Sequence, residues 1–551
     1  MKKNLSVLLF VLWTALPVAA QHSAHNFEVK KNLEIFNALY RQLDLNFVDT
    51  LSADRQVGDA VRYMLSRLDP YTEYFAESET DNLRQLSTGK YAGIGSVISY
   101  NKKADRCQIA QPYADMPAAE AGLRPGDIIL ELDGKAVPPC GATPVADYTS
   151  DISSRLRGEP GTTLTLRVSR PSVDRELTFS LVRRTVAIPN ITLSTLLADS
   201  VAYICLDGFT EDCVRQVRAA LVALKARGAR SLVLDLRSNG GGLVDEAVRL
   251  VNLFVPRGRE VVSTRGKVKA AARVYRTEAE PFDLDMPIVV LTDYGTASSA
   301  EIACGALQDY DRAVLVGRNT YGKGLVQSPV ELPYGAMLKL TTGKYYIPSG
   351  RCVQAYKYKD GRPQQLPDSL ARRFRTAGGR TVYDAGGVHP DVEVEADSLP
   401  NLLHYLEASD ELAEWCARYR NTHADVPPAA QLRISDDEYS DFTAFVLRSG
   451  FDYDRISLSM LADLRRMAEF EGYGEVARAE IDSLEARLRH NEAHDFEHWK
   501  PQIKRLVENT LAQYYYYQAG MVENALASDP DVAEALRILA DRRRYAAILR
   551  P

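Results

Sequence analysis

The fold of this chain is decided by residues 287–327, PIVVLTDYGTASSAEIACGALQDYDRAVLVGRNTYGKGLVQ. The opening run PIVVLT is rich in β-branched residues and predicts a short buried strand. Small residues follow, and Glu301 then stands three residues after Ser298 at the start of a helical pattern, the spacing of a capping box. Ser298 is therefore placed at a strand-to-helix turn, where free N–H groups of the first helical turn can stabilise an oxyanion.

A second predicted strand, residues 312–317, leads to Lys323, which stands between two glycines. A serine nucleophile needs a base, and a lysine can serve when burial lowers its pKa so that the amine is neutral near pH 7. The helix and strand between Ser298 and Lys323 can return the chain to one edge of a sheet, where Gln327 could orient the amine. The pattern predicts a Ser–Lys hydrolase site.

These two segments, GTASSAEIACGALQD and GRNTYGKGLVQ, resemble the motifs of the C-terminal processing (tail-specific) serine proteases. That family reads G-S-A-S-A-S-E-I and then G-K-G-x-V-Q, with the nucleophile and the lysine at this same spacing. The resemblance implies that Ser298 is the nucleophile, that Lys323 is the general base and that Gln327 positions the lysine.

The chain departs from the family pattern at the nucleophile turn. Thr296 replaces the first motif serine, and Ser299-Ala300 stands where the family usually has Ala-Ser; neither change removes the nucleophile. Some members also need an aspartate on the intervening helix, which would be Asp309 here. A structural role is favoured for Asp309.

A glycine-rich turn, DLRSNGGG at residues 235–242, follows another predicted strand, residues 231–236. Three glycines at a strand-to-helix turn can expose backbone N–H groups to an oxyanion, although a phosphate-binding or purely structural turn has the same composition. The segment resembles the family's D-L-R-x-N-x-G-G. The resemblance implies an oxyanion hole formed by the N–H groups of Gly241 and Ser299, with the choice among the adjacent glycines left open.

Short alternating runs between glycine turns characterise residues 91–184 and predict a β-rich domain. The phrase PAAEAGLRPGDIILELDGKAV, residues 117–137, resembles a PDZ domain, and Gly93, Ile94 and Gly95 match its carboxylate-binding loop. Free N–H groups in such a loop can hold the C-terminal carboxylate of a peptide that adds as a strand beside a helix.

The predicted fold class is an α/β protease core with a mixed sheet, crotonase/ClpP-like by resemblance, combined with an inserted PDZ domain and helical terminal regions. The predicted boundaries are 1–20 for a signal peptide, 21–86 for an N-terminal helical region, 87–185 for the PDZ domain, 186–400 for the protease core and 401–551 for a C-terminal helical domain.

The composition and the N-terminal segment indicate which classes of protein are excluded and where in the cell this protein is expected. The chain has 551 residues and 46% hydrophobic content, enough for several packed cores, and its net charge of −6 argues against a general nucleic-acid binder. The N-terminal MKKNLSVLLFVLWTALPVAA is typical of a secretory signal peptide, so export to the periplasm or cell envelope without a membrane span in the mature form is expected. Seven scattered cysteines disfavour a disulfide framework; Cys107 with Cys140 is the one bridge considered.

Four other patterns compete with the Ser–Lys interpretation. Residues 317–323 fit the GxxxxGK of a Walker A loop, but the Ser or Thr that should follow the lysine is missing. Residues 87–90 fit SxxK without the other elements of a penicillin-binding enzyme. His490, His494 and His498 share a helical face and could bind a metal, although charged neighbours favour a solvated face. His389 is a rival base to Lys323.

The sequence as a whole predicts an exported serine endopeptidase. The family resemblance implies protein or peptide substrates that present accessible apolar C-termini to the PDZ domain. No cofactor and no metal is expected. An adaptor or activating protein and a homo-oligomer are left open as partners. The alternative is a catalytically inactive PDZ adaptor that scaffolds proteins of the cell envelope.

Overall fold

The computed structural model describes residues 3–80, 88–198, 200–395, 399–488 and 492–550. The chain divides into two compact units, and the smaller one comprises Met1–Ser78, Pro329–Leu340 and Tyr358–Pro363. In the smaller unit, helices α1 (Lys3–Asn46) and α2 (Ala53–Ser66) precede strand β1 (Glu73–Phe75). β1 pairs antiparallel with residues 337–339. Ser87 and His490 lie outside the described residues.

The larger unit begins with a β-rich domain in which antiparallel strands follow the order β3-β4-β5-β7-β8. The first and last strands of this domain, β2 and β9, form a separate antiparallel pair. Buried Ile109, Ile129 and Leu164 form its centre. Its elements are β2 Lys90–Gly93, β3 Ser96–Asn101, β4 Arg106–Pro112, α3 Pro117–Glu120, β5 Ile128–Leu132, β6 Lys135–Ala136, α4 Val145–Leu156, β7 Thr163–Ser169, β8 Leu177–Val182 and β9 Arg184–Ala187.

The next part of the larger unit is an α/β core built on a mixed sheet. The strands follow the order β10-β11-β12-β15-β16-β23, with β10 antiparallel to β11 and the other neighbours parallel. The parallel strands β12, β15 and β16 are buried along their whole length because helices cover both faces. The sheet and its helices are β10 Ile191–Leu197, β11 Val201–Leu206, α5 Cys213–Ala226, β12 Ser231–Asp235, α6 Val244–Asn252, β15 Ile288–Thr292, α7 Ser299–Asp309, β16 Val314–Gly317 and β23 Val392–Glu393.

A further set of strands is divided between the two units, with residues 329–340 and 358–363 in the smaller one. Residues 343–346 at the end of β18 pair antiparallel with β13, and β13 pairs with β14. The set comprises β13 Glu260–Gly266, β14 Val274–Arg276, β17 Leu325–Glu331, β18 Met337–Tyr346, β19 Tyr356–Lys359, β20 Arg362–Gln365, β21 Arg373–Arg375 and β22 Thr381–Tyr383.

The C-terminal part is helical and has its own core around Trp415, Phe442 and Phe496. Its helices are α8 Asn401–Glu407, α9 Asp410–Thr422, α10 Asp436–Arg448, α11 Ile456–Phe470, α12 Arg478–Leu488, α13 Glu492–His498, α14 Lys500–Leu526, α15 Pro530–Ala540 and α16 Arg542–Leu549. Met460, Leu464 and Met467 lie on α11 as their spacing predicts, yet their side chains are exposed.

Helix α15 packs on the α/β core rather than on the helical core. Its apolar face contributes Val532, Ala535 and Ile538 to a cluster with Val233 and Leu291 of the sheet. The C-terminal helices therefore supply one of the two layers that bury the central strands.

The cysteines are free thiols. The Cys107 thiol contacts Thr149 and the Cys140 thiol contacts the Thr143 carbonyl, so the bridge considered between these two cysteines is not formed. Within the described residues, no helix combines the length and the apolar character needed to cross a bilayer.

Candidate active site

Ser298 lies at the turn between strand β15 and helix α7. Its backbone angles are φ 57° and ψ −118°, and α7 begins at the next residue, Ser299. Residues other than glycine are strained in this region of backbone space, and such strain is concentrated at functional sites. The predicted strand-to-helix turn is therefore present, and the turn that carries Ser298 is a sharp one.

The neighbouring hydroxyl groups at this turn have structural partners. Ser299 is fully buried and donates a hydrogen bond of 2.7 Å to the carbonyl of Gly242. Thr296, which stands where the family has serine, donates to the carbonyl of Leu236 at 2.8 Å. Both bonds join the Ser298 turn to the glycine-rich turn after β12, so the threonine keeps the hydroxyl that this contact needs.

The Glu301 carboxylate links the Ser298 turn to the Lys323 turn. One of its oxygens accepts hydrogen bonds of 2.8 Å from the backbone N–H groups of Ser298 and Lys323. The other oxygen accepts from the Gly322 N–H at 2.8 Å and from the Thr320 hydroxyl at 2.5 Å. Burial raises the pKa of Glu301 to about 7, although these hydrogen bonds act in the opposite direction. The capping-box spacing placed Glu301 beside Ser298, but it gave no indication of the contact with Lys323.

Tyr345 makes a second link between the two turns. Its buried hydroxyl lies 2.5 Å from the carbonyl oxygen of Lys323 and 3.1 Å from that of Ser298, so its single proton is shared between them. Tyr345 lies on strand β18, and no motif in the sequence marks it as part of the site. Gln327 is on β17, and its amide nitrogen donates to the Thr341 hydroxyl at 3.2 Å.

The glycine-rich turn packs directly against Ser298. Gly241 has φ +94°, and a Cβ built on it would lie 2.7 Å from the Ala297 carbonyl oxygen and 2.8 Å from the Ser299 nitrogen. The predicted donor is engaged within its own turn, since the Gly241 N–H donates to the Asn239 side-chain oxygen at 2.9 Å. The structure thus brings together the two predicted oxyanion donors, and it also gives one of them an internal partner.

The other candidate residues have structural partners. Asp309 forms a buried ion pair of 2.9 Å with Arg351. Burial raises the pKa of the Asp309 carboxyl, against the effect of the arginine. The His389 ring lies 3.4 Å from the Ala385 carbonyl oxygen. The Walker-like loop cannot cradle a phosphate in this form, because the Glu301 carboxylate already occupies two of its N–H groups.

A metal site is not evident in the described part of the chain, where no group of three or more potential ligands is gathered. His494 and His498 stack with ring centroids 6.0 Å apart, and the third member of the candidate triad falls outside the described residues.

The predicted peptide-binding loop is buried and ordered by local contacts. Ile94 belongs to the domain core, and the carbonyls of Ile94 and Gly95 accept hydrogen bonds from Ala118 and Tyr113. Burial raises the pKa of Tyr91 to about 12, while backbone hydrogen bonds from Ser96 and Gly95 lower it. Within the loop that matches a carboxylate-binding site, the Tyr91 hydroxyl therefore lies near the N–H of Gly95.

A positive charge also lies beside this loop. The Arg157 guanidinium carbon is 5.2 Å from the centre of the Tyr91 ring. Strand β3 and helix α4, which would form the two walls of a peptide groove, pack against each other in the same domain.

Three family profiles match the chain in consecutive regions. The profile of Peptidase family S41 matches residues 200–360, that of the PDZ domain matches residues 108–170, and one described as "Probable PDZ-protease, C-terminal helical domain" matches residues 402–539. Over 360 residues the chain is 32% identical to the carboxy-terminal-processing protease of Bartonella bacilliformis, a match that covers 63% of this chain and 80% of that protein. The chain belongs to peptidase family S41.

Two further proteins are similar to this chain. The S41 chain is 29% identical over 351 residues to a probable CtpA-like serine protease of Staphylococcus epidermidis, covering 63% of this chain and 68% of that protein. The solved structure of a photosystem II D1 C-terminal processing protease is 28% identical, with coverage of 66% and 87% and a TM-score of 0.36.

Membership in the family confirms several predictions. This S41 chain is a serine peptidase of the carboxy-terminal-processing family, and it combines a peptidase domain, a PDZ domain and a helical C-terminal domain. A peptidase that carries a PDZ domain has protein substrates. The roles of the individual site residues rest on the geometry above.

Proposed function

We propose that this S41 peptidase is an exported serine endopeptidase that cleaves protein substrates near or from their C-termini through Ser298 and Lys323. The observation that carries the proposal is the Glu301 oxygen that accepts the N–H groups of both residues at 2.8 Å. That shared acceptor holds the serine turn and the lysine turn side by side. The neighbouring Ser299 is buried and its hydroxyl is engaged, which favours Ser298 as the nucleophile of the pair.

The proposed reaction is acyl transfer. A neutral Lys323 amine takes the proton of Ser298 as Oγ attacks the scissile carbonyl carbon, and it then gives that proton to the leaving amine. Water hydrolyses the acyl-enzyme in a second cycle of the same transfers. Since the amide nitrogen of Gln327 donates to Thr341, its carbonyl oxygen is the atom that would accept from the lysine and orient it.

The oxyanion requires N–H donors beside Ser298. The Ser299 N–H is one of the first in helix α7 and has no acceptor within the helix, so it supplies one donor. In this proposal the Gly241 N–H is the second donor. It leaves the Asn239 side-chain oxygen and donates to the oxyanion instead. A charged acceptor binds an N–H group more strongly than a neutral amide oxygen does, which favours the exchange once the intermediate forms.

Substrate C-termini are proposed to bind in the PDZ domain as a strand beside β3. The peptide carboxylate would take the N–H groups of the Gly93, Ile94 and Gly95 loop and would displace the Tyr91 hydroxyl from that of Gly95. Arg157 would supply positive charge nearby. An apolar terminal side chain would lie between β3 and α4. The proposal also includes a partner, which is an adaptor, an activating protein or a second copy of the chain.

Export is proposed from the N-terminal pattern. Residues 1–20 have the basic start, apolar run and small-residue end of a secretory signal peptide, which directs the chain to the periplasm or cell envelope. The remaining proposed boundaries are 21–86, 87–185, 186–400 and 401–551. The family profiles for the PDZ, peptidase and C-terminal helical domains fall inside the last three.

The test is degradation of an unstructured protein with an apolar C-terminus by the wild type, Ser298→Ala and Ser299→Ala. We expect cleavage by the wild type and by folded Ser299→Ala, and none by Ser298→Ala. Cleavage by Ser298→Ala would overturn the nucleophile. Retained function of Ser298→Ala in the cell, with peptide binding intact, would favour the PDZ adaptor. For the base, the rate should rise through one ionisation as pH increases, and Lys323→Ala should abolish that rise.

A further inference from the structure

The first turn of helix α15 lies beside the turns of the candidate active site. Asp529 caps this helix by accepting hydrogen bonds from the N–H groups of Asp531 and Val532 at 2.9 and 3.1 Å. Asp531 follows in the first turn, and its side chain is only 1% exposed. A buried carboxylate of this kind needs charged or hydrogen-bonding partners.

Asp531 finds those partners on two separate loops of the peptidase core. One oxygen accepts from Arg237 at 2.9 Å and from Arg318 at 2.8 Å, and the other lies 3.3 Å from Arg318. The ion pair with Arg318 therefore has two contacts, a geometry that fixes orientation as well as distance. A single carboxylate of the C-terminal domain thus joins two arginines of the core.

Each arginine begins a loop that carries a proposed active-site group. Arg237 starts the glycine-rich turn, and its neighbour Ser238 donates its N–H to Asp293 of the Ser298 turn at 2.8 Å. Arg318 starts the loop that leads to Lys323. Its N–H donates to the carbonyl of Thr292, the last residue of β15, at 2.9 Å.

Asp531 is the carboxylate that the two arginines share, and each arginine has further partners of its own. Arg237 also pairs with Asp235, two residues earlier in its own turn, and with Asp529 at 2.8 Å. Arg318 pairs with Asp531 and donates a weaker bond to the Val394 carbonyl. Because the carboxylate is excluded from water, its attraction for both side chains is screened little by solvent or salt.

We propose that Asp531 of the C-terminal helical domain is a positioning residue for the peptidase reaction, holding the glycine-rich turn and the Lys323 loop in register across the active site. This inference rests on the proposed function, because it takes Gly241 and Lys323 as the groups to be positioned. It gives the C-terminal domain a part in catalysis in addition to its packing on the sheet.

The test compares Asp531→Asn, Asp531→Glu and Arg318→Gln in the full-length protein. Glu534→Gln is the matched control, since Glu534 is a nearly buried carboxylate on the same helix that pairs with Arg537 and Arg544 instead of with the loops. The readouts are kcat and KM on a reporter peptide, the rate and site of labelling by a fluorophosphonate, and thermal unfolding.

We expect Asp531→Asn to lower kcat and the labelling rate by about 10- to 100-fold with KM changed less than about two-fold, because displaced loops misalign reacting groups without removing substrate contacts. Asp531→Glu should recover part of the loss. If Asp531→Asn fails to fold, Arg318→Gln carries the test with the same expected fall in kcat. The double variant of Asp531→Asn with Arg318→Gln should lose no more than the worse single variant.

Two results would overturn the proposal. One is a kcat for folded Asp531→Asn equal to that of Glu534→Gln. The other is additive losses in the double variant, which would show that the two side chains act separately. Labelling at a residue other than Ser298 would instead reject the proposed nucleophile, so the two failures are distinguishable.

Discussion

The Glu301 carboxylate accepts a hydrogen bond of 2.8 Å from the backbone N–H of Lys323, which lies 22 positions further along the chain. The same carboxylate accepts the Ser298 N–H. One buried acidic group therefore joins the backbones of the proposed nucleophile and base, and it performs no proton transfer itself in the proposed mechanism.

Stability should fall as Glu301 ionises. Burial raises the pKa of this carboxyl from an ordinary 4.5 to about 7. A raised pKa means that the folded state favours the protonated form, so its contribution to stability is full below about pH 4.5 and is lost as pH rises through about 7. We expect the free energy of unfolding, measured in urea, to decrease by about 3 kcal/mol over this interval from this group. Glu301→Gln has no such ionisation, and an unchanged pH slope in that variant would contradict the assignment.

Adjacent glycines should respond differently to alanine. A Cβ at Gly241 would meet the Ala297 carbonyl and Ser299 nitrogen at 2.7 and 2.8 Å, whereas a Cβ at Gly240 meets nothing within 4 Å. We expect Gly241→Ala to lower kcat by about 100-fold or more, the usual cost of a lost oxyanion donor, and Gly240→Ala to remain within about two-fold of wild type. Equal effects in a steady-state assay would mean that the turn does not contact the reacting groups.

Asp309 should matter for stability and not for chemistry. Its ion pair with Arg351 is fully buried, so Asp309→Asn leaves an uncompensated charge and should cost about 3–5 kcal/mol of unfolding free energy. The double change Asp309→Leu with Arg351→Met should recover much of that loss. The check is kcat per folded molecule: a stable Asp309→Asn protein without activity would instead support a catalytic aspartate.

The peptide-binding loop can be tested with two glycines of similar backbone angle. Gly95 has φ +73° and Gly134 has φ +74°, but a Cβ at Gly95 would lie 2.5 Å from the Met116 Cβ while one at Gly134 meets nothing within 4 Å. We expect Gly95→Ala to weaken binding of a peptide with an apolar free C-terminus by about 10-fold or more, and Gly134→Ala to leave it unchanged. Fluorescence anisotropy with free and amidated peptides measures this. Equal binding of both peptides by the wild type would reject carboxylate recognition.

The regular elements of the core could be predicted closely because their patterns are unambiguous. The run PIVVLT predicts a strand over residues 287–292, and β15 spans Ile288–Thr292. The spacing of apolar residues in 212–227 predicts an amphipathic helix, and α5 spans Cys213–Ala226. Strand β15 is buried on both faces and helix α5 on one, so in each stretch local preference and tertiary packing agree.

Contacts between distant residues could not be predicted in the same way. The Tyr345 hydroxyl between two carbonyls and the Asp531 bridge depend on how separate turns meet in space. Helical periodicity also failed to give burial at Met460, whose spacing is that of a packed face although the side chain is exposed. A single sequence shows the periodicity of a helix, but it does not show which other residues pack on its apolar face.

Because the backbone at Ser298 is strained, selection for stability and selection for activity favour different residues at this position. A positive φ costs a serine on the order of 1–3 kcal/mol, and a glycine at this position would relieve that cost. A library screened for heat resistance alone should therefore enrich Ser298→Gly, and the most thermostable survivors would be hydrolytically dead. In the proposed mechanism turnover requires the serine, so residue 298 is a position where the most durable protein and the working enzyme must differ.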